Sequence, residues 1–285
     1  MLPADACGAD QRGRIDWTGT ALLIAALAMG NLALLRGEDQ GRGSAATLTT
    51  LTIAAALFAA LVVLQSRVST PILDLALFRK PAFTGAAIAV FMSRVLTGGG
   101  MVYFVQYFQG SLQLNPTQTG LLLTPVFVAQ MAAGLLGGKL FSRFVPGHVI
   151  AGGYICKAVG AATLALAFTP TVSPWFLTLP LLIWGIGGGI AGAPVMAVAM
   201  NVTDKARAGM VAGTITSLAS IGAGIGTAVL GAVYTSRTAG AAAPAEAAIA
   251  SGASTVLYCS AGLAVIAVAL VLPLISTRNL PKPAL

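Results

Sequence analysis

P-I-L-D-L-A-L-F-R-K-P-A-F, residues 71–83, leads into a long apolar run that carries one arginine, Arg94. The run ends in Y-F-V-Q-Y-F-Q-G (103–110), and the uncharged loop S-L-Q-L-N-P-T-Q-T-G (111–120) follows. A second apolar run then closes on G-G-K-L-F-S-R-F-V-P-G-H (137–148). Two apolar segments joined by a short neutral loop, with basic residues at both outer ends, read as a transmembrane hairpin of defined orientation. The rest of the chain repeats this form.

Composition supports that reading. Of 285 residues 57% are hydrophobic and 8% are charged, against about 25% charged in an ordinary soluble domain. The surface cannot be covered with water-compatible groups, so lipid is the solvent. The net charge of +8 is scattered between apolar runs, which fits membrane topology and not nucleic-acid binding. Cys7, Cys156 and Cys259 show no C-x-x-C spacing and His148 is the single histidine, so no metal or other cofactor is expected.

Crossing about 30 Å of hydrocarbon takes roughly 20 apolar residues. Eight segments qualify: 17–35, 46–65, 83–109, 117–141, 148–169, 174–202, 208–236 and 254–276. All should be helices, since backbone in lipid must satisfy its own hydrogen bonds. The first also has features of a signal peptide, with Arg12 and Arg14 before it and Ala26-Leu27-Ala28 within it. A long leader with Asp5, Asp10 and Asp16, and apolar sequence beyond Ala28, favour a retained span. The expected organisation is a leader (1–16), two helices (17–70), an amphipathic connector (71–82), a six-helix bundle (83–276) and a tail (277–285). Residues 238–252 are Ala-rich and polar enough for an outward loop, helical in part.

Eleven basic residues fall on one side: Arg12, Arg14, Arg67, Arg79, Lys80, Lys139, Arg143, Lys205, Arg207, Arg278 and Lys282. Three, Arg36, Arg42 and Arg237, fall on the other. Both termini are therefore expected in the cytoplasm.

The remaining two cations, Arg94 and Lys157, lie inside spans. A charge at mid-membrane costs about 2.5–3.5 kcal/mol even on the lenient insertion scale. Arg94 should face the bundle interior or a wet cavity, either lining a substrate path or pairing with a helix carbonyl. Lys157 has the same two readings and a third, snorkelling toward the cytoplasm. Gln106, Gln109, Gln130 and Asn201 are span amides that bridge helices or bind substrate. Tyr103 and Tyr107 suit an interfacial belt. Small residues recur at four-residue spacing (Gly134/Gly138, Gly188/Gly192, Gly209/Gly213, Gly222/Gly226), as close helix packing requires. G-I-G-G-G-I-A-G-A-P, from Gly185 through Gly188 and Gly192 to Pro194, reads as tight packing or as a bending gate. All eight acidic residues lie outside the spans. No Asp pair, Ser/His dyad or H-E-x-x-H suggests an enzyme.

In order and spacing the motifs resemble the fourteen-helix drug/proton antiporters of the major facilitator superfamily, over the second part of that family's length. R-I-D-W-T-G-T (14–20) resembles the entry into the family's two extra central helices, and residues 71–83 the lead into its C-terminal bundle. Residues 103–125 are similar to its outer hairpin. A-R-A-G-M-V-A-G-T (206–214) and I-G-A-G-I-G-T-A-V-L-G (221–231) resemble its penultimate helix. The stretch around Gly138, Arg143 and Gly147 resembles the family's cytoplasmic loop signature, with Ser142 where an acid is expected.

The resemblance implies two linker helices plus a six-helix C-terminal bundle of a plasma-membrane exporter of hydrophobic or cationic small molecules, coupled to protons. It would work by alternating access with an N-terminal six-helix half, and self-association is the other way to cover its open face. A non-transporting membrane module that packs against another transporter half is the alternative.

Overall fold

The computed structural model describes residues 17–39, 44–65, 75–202, 208–238 and 244–276. The expected leader, the tail, Asp74 and seven of the eleven basic residues of the predicted inner side lie outside the described residues. Every described element is helical: α1 (Trp17–Asp39), α2 (Ala45–Gln65), α3 (Pro81–Gln106), α4 (Pro116–Arg143), α5 (Pro146–Ala167), α6 (Thr178–Asn201), α7 (Ala208–Thr238) and α8 (Ala245–Leu274).

The first unit ends at Leu75 and contains α1 packed on α2. Ser44 starts α2, its hydroxyl accepting from the Thr47 amide at 3.2 Å, and Thr50 returns a hydrogen bond to the Ala46 carbonyl at 2.6 Å. Such local bonds hide hydroxyls that lipid would not solvate. Residues Ala45–Leu61 form an apolar helical run shorter than a full span.

The second unit holds α3–α8, and its six helices are each long and apolar enough to cross a membrane. Proline opens three of them, at Pro81, Pro116 and Pro146, where the missing N–H costs nothing. Asn115 adds a capping box: its side chain accepts from the Gln118 amide at 2.8 Å, and Gln118 Oε1 accepts from the Asn115 amide at 3.0 Å. One π-helical turn, Tyr107–Ser111, extends α3 into the outer hairpin, where Gln113 takes a positive φ of 52° and donates Nε2 to the Gly110 carbonyl at 2.8 Å.

α4 lies along α6 and α7 along α3, while α5 packs on α6 and α8, and α8 returns to α3. Exchanging α3–α5 with α6–α8 preserves these main neighbours, as two three-helix repeats would. Between helices in lipid there is little hydrophobic gain, so close backbone approach and ring contacts hold the bundle. A methyl on Gly185 would stand 2.5 Å from the Val126 carbonyl of α4, and one on Gly187 2.5 Å from the Lys157 amide of α5. Alternating glycines thus seat α6 between two neighbours. On α7, Gly222 and Gly226 meet the Phe91 and Val95 carbonyls of α3.

Three expectations meet the structure here, and the second is corrected. First, the partly helical loop expected over 238–252 is helical from Ala245 among the described residues. Pro244 starts α8 at Ala245, and Ala248, Ala250 and Gly252 are buried, Gly252 against Tyr234 and Thr238. Alanine is the best helix former, and packing extends the helix about two turns beyond the apolar run. Second, Tyr103 and Tyr107 are core residues and not an interfacial belt. Tyr107 stacks on Phe168 with centroids 3.8 Å apart and donates its hydroxyl to the Thr169 carbonyl at 2.7 Å, while Tyr103 packs on Tyr234. The aromatic side chains exposed near that end of the bundle include Trp175 and Phe176, at 82% and 76%. Third, the connector's described part is a 3-10 turn, Leu75–Arg79, fastened to the bundle. Leu77 is buried, Phe78 meets Phe83 edge-on at 5.2 Å, and Lys80 Nζ donates to the Val202 carbonyl at 2.9 Å.

Candidate functional site: a cationic cavity at mid-bundle

A cavity of 230 Å³ opens on one face of the second unit. Its lining comes from α3, α4, α6 and α7, with Tyr154 contributed by α5. Arg94 and Thr97 of α3, Gln130 of α4 and Gly188 of α6 are on its wall. Each, like Lys157 of α5, falls within two residues of the midpoint of its own span. The site is therefore one layer across the bundle, at the depth where a membrane is driest.

Arg94 is exposed into this cavity and makes no hydrogen bond or ion pair among the described residues. Its five N–H donors are free for a guest or for water. Lys157 is 3% exposed. Its Nζ donates to Thr97 Oγ1 at 2.7 Å and stands 4.7 Å from the centre of the Trp184 ring. The snorkelling reading is thereby corrected: Lys157 sits at the centre of α5, too far from either end, and a hydroxyl and a π face answer its charge across the bundle. Trp184 is itself locked by an edge contact with Phe104 at 5.3 Å. Tyr154 donates its hydroxyl to the Ala89 carbonyl and so ties α5 to α3 at the cavity.

Gly188 has a role apart from packing. A methyl there would meet only the Gln130 amide at 3.6 Å and the Lys157 Cε at 3.7 Å, and Gly192 has open space. Both glycines keep the cavity wide. The expected Gly188/Gly192 packing pair is therefore corrected: helix contact is made by Gly185 and Gly189 toward α4 and by Gly187 toward α5. Likewise Gly137 takes the tightest contact of α4 with α6, its added methyl falling 2.6 Å from the Ile190 carbonyl, while the Gly134 amide lies beside Gly189 and Gly138 faces away. That carbonyl is the one Pro194 deprives of its helical donor. α6 runs continuously through Pro194.

Gln106 and Asn201 are exposed and are not on the cavity wall, so of the five expected path residues the structure joins Arg94, Gln130 and Lys157. In the loop motif, Gly138 and Arg143 are exposed, Ser142 donates to the Lys139 carbonyl at 2.8 Å, and Gly147 lies against the Ile275 carbonyl. Thr97, Tyr154 and Met196 on the cavity wall were not anticipated. Their shared depth with Arg94, counted from the helix ends, was the available signal for the first two.

A second cavity of 410 Å³ lies between the starts of α4 and α6, lined by Leu114, Leu121, Pro125 and Trp175 among others. It contains no charged residue.

The sequence profile of the Major Facilitator Superfamily matches residues 11–227. The drug efflux pump JefA of Mycobacterium tuberculosis is 29% identical over 221 residues, covering 77% of this chain and 43% of its own length. The methylenomycin A resistance protein of Streptomyces coelicolor is 27% identical, covering 77% and 46%, and the quinolone resistance protein NorB of Staphylococcus aureus is 26% identical, covering 93% and 56%. The chain spans about half the length of the curated relatives it matches. A six-helix bundle of crossing length, built as exchanged three-helix sets around a mid-depth cavity, agrees with this match across three quarters of the residues: the chain belongs to the Major Facilitator Superfamily.

Proposed function

We propose that these residues are the C-terminal portion of a proton-coupled exporter of small hydrophobic molecules in the plasma membrane, with α1 and α2 as linker helices and α3–α8 as one of two rocking bundles. The observation that carries this reading is the cavity between α3 and α6, at mid-depth and open on one face, where Arg94 meets no partner among the described residues. Alternating access needs such a half-site, closed from the other side by a second bundle. The names of the relatives, a drug efflux pump and two antibiotic resistance proteins, support export as the direction.

Within α3–α8 the single acidic residue is Glu246, in the first turn of α8 at the outer end. A proton relay at mid-depth then has to come from another polypeptide half. The reading includes eight spans, both termini in the cytoplasm, and an N-terminal six-helix half or a second copy as partner. Proteoliposomes loaded with a fluorescent hydrophobic dye test it. Proton-dependent efflux is expected when an N-terminal six-helix half from a relative is co-reconstituted. Absence of efflux in every such pairing would leave a non-transporting membrane module as the better account.

A further inference from the structure

The mid-depth cavity carries a charge pattern that narrows what enters it. Its wall holds one free guanidinium and, behind Gly188, one ammonium held on Thr97. No carboxylate lies in α3–α7, and Glu246 of α8 is at the outer end. Around these cations the wall is made of small apolar side chains such as Ala89, Val90, Ala191 and Val195. A mostly apolar pocket with a few convergent polar groups is the usual form of a small-molecule site. A positively charged guest would be repelled by the field of these cations at low dielectric, whereas a carboxylate would be attracted and could reach Arg94 directly.

We propose that this cavity binds the carboxylate of an amphipathic organic acid, with Arg94 as the charged anchor and Thr97 as a second donor set by Lys157. Arg94 offers two parallel N–H groups, which match a carboxylate in bidentate geometry. The Thr97 oxygen already accepts from Lys157 Nζ at 2.7 Å. Its own proton is therefore turned away from the lysine and is left to donate. Lys157 acts as a positioning residue: it does not line the cavity, and it orients the hydroxyl that does. The Gln130 amide on α4 supplies a further N–H, and the apolar body of the guest lies along α6 and α7. The family resemblance admits hydrophobic or cationic guests; on this side of the site the charge selects hydrophobic acids or zwitterions. The inference rests on reading the cavity as a substrate site.

Two probes with the same aromatic body separate the possibilities: 2-naphthoate and 2-naphthylmethylammonium. The full 285-residue chain is placed in nanodiscs of zwitterionic phosphatidylcholine, and binding is measured by equilibrium dialysis against empty nanodiscs. Saturable binding of naphthoate alone is expected. Arg94→Gln should weaken it by about tenfold or more, and Arg94→Lys should restore part of it, as for a hydrogen bond to a charged group. Thr97→Val should weaken it several-fold, with recovery in Thr97→Ser, which restores the hydroxyl to both the lysine and the guest. The thermal midpoint of Arg94→Gln should stay near the parent's, because the side chain is exposed. Absence of saturable naphthoate binding, equal binding of the two probes, or undiminished binding by folded Arg94→Gln would each overturn the proposal. Naphthoate binding without dye efflux from the paired halves would count against the exporter reading alone.

Discussion

Gly226 of α7 lies against the carbonyl of Val95 in α3 so closely that a methyl group cannot be added without moving a backbone. Gly222 repeats the contact one turn earlier, 2.6 Å being all that would separate its added methyl from the Phe91 oxygen. The same helix carries a second pair at identical spacing, Gly209 and Gly213, where an added methyl would meet nothing within 4 Å among the described residues.

The two pairs should respond with opposite signs. Gly226→Ala overpacks a backbone contact and should destabilise by about 1–3 kcal/mol. Gly213→Ala gains helix propensity at no steric cost and should stabilise by up to about 1 kcal/mol. Thermal unfolding of the two variants in detergent decides it, and equal shifts would remove the α3–α7 contact as described.

Thr97 and Lys157 should prove coupled. Thr97→Val leaves a buried ammonium without its acceptor and should cost about 1–3 kcal/mol or more. Adding Lys157→Met to Thr97→Val removes the stranded charge and should recover much of that loss. A double-mutant cycle on thermal stability reads the coupling directly. Additive effects would show that the 2.7 Å contact carries no energy.

Tyr107→Phe keeps the stack on Phe168 and loses the bond to the Thr169 carbonyl. We expect a loss of about 0.5–1.5 kcal/mol. Tyr107→Leu should cost a further 0.5–1.5 kcal/mol, roughly, for the ring pair. Chemical denaturation in mixed micelles measures both; indistinguishable variants would assign all the stabilisation to the hydroxyl.

Asn115 and Ser173 sit in the turns before α4 and α6, at the end of the bundle opposite Lys80 and Arg143. In a background freed of Cys7, Cys156 and Cys259, cysteines at these two positions should label in intact cells with an impermeant thiol reagent. Labelling confined to lysed cells would invert the expected orientation.

Much of this fold was legible because its solvent is lipid. Six apolar runs of crossing length needed no knowledge of partners, and Pro81, Pro116 and Pro146 mark helix starts within a few residues. Arg94 was legible from cost alone, since a mid-span guanidinium has to face something wet. Register was not legible. G-G-G at 187–189 offers two overlapping four-residue pairs, and only the neighbouring backbones decide that Gly185 and Gly189 pack while Gly188 and Gly192 border a cavity. Nor could the sequence assign Thr97 to Lys157, a partnership across 60 positions and two helices. The tyrosines misled because an aromatic near a span end suits an interface and a core equally well.

The outer hairpin has a consequence for biogenesis. In the proposed orientation residues 111–120 are carried across the bilayer during insertion, and they hold no charge. Within that stretch Asn115 and Gln118 satisfy each other's backbone amides, and Gln113 binds back to Gly110. A turn that closes its own hydrogen bonds sheds little bound water when it leaves an aqueous phase. The polar burden of such a crossing is therefore already internal to the loop, before α4 meets α6 and α3 meets α7.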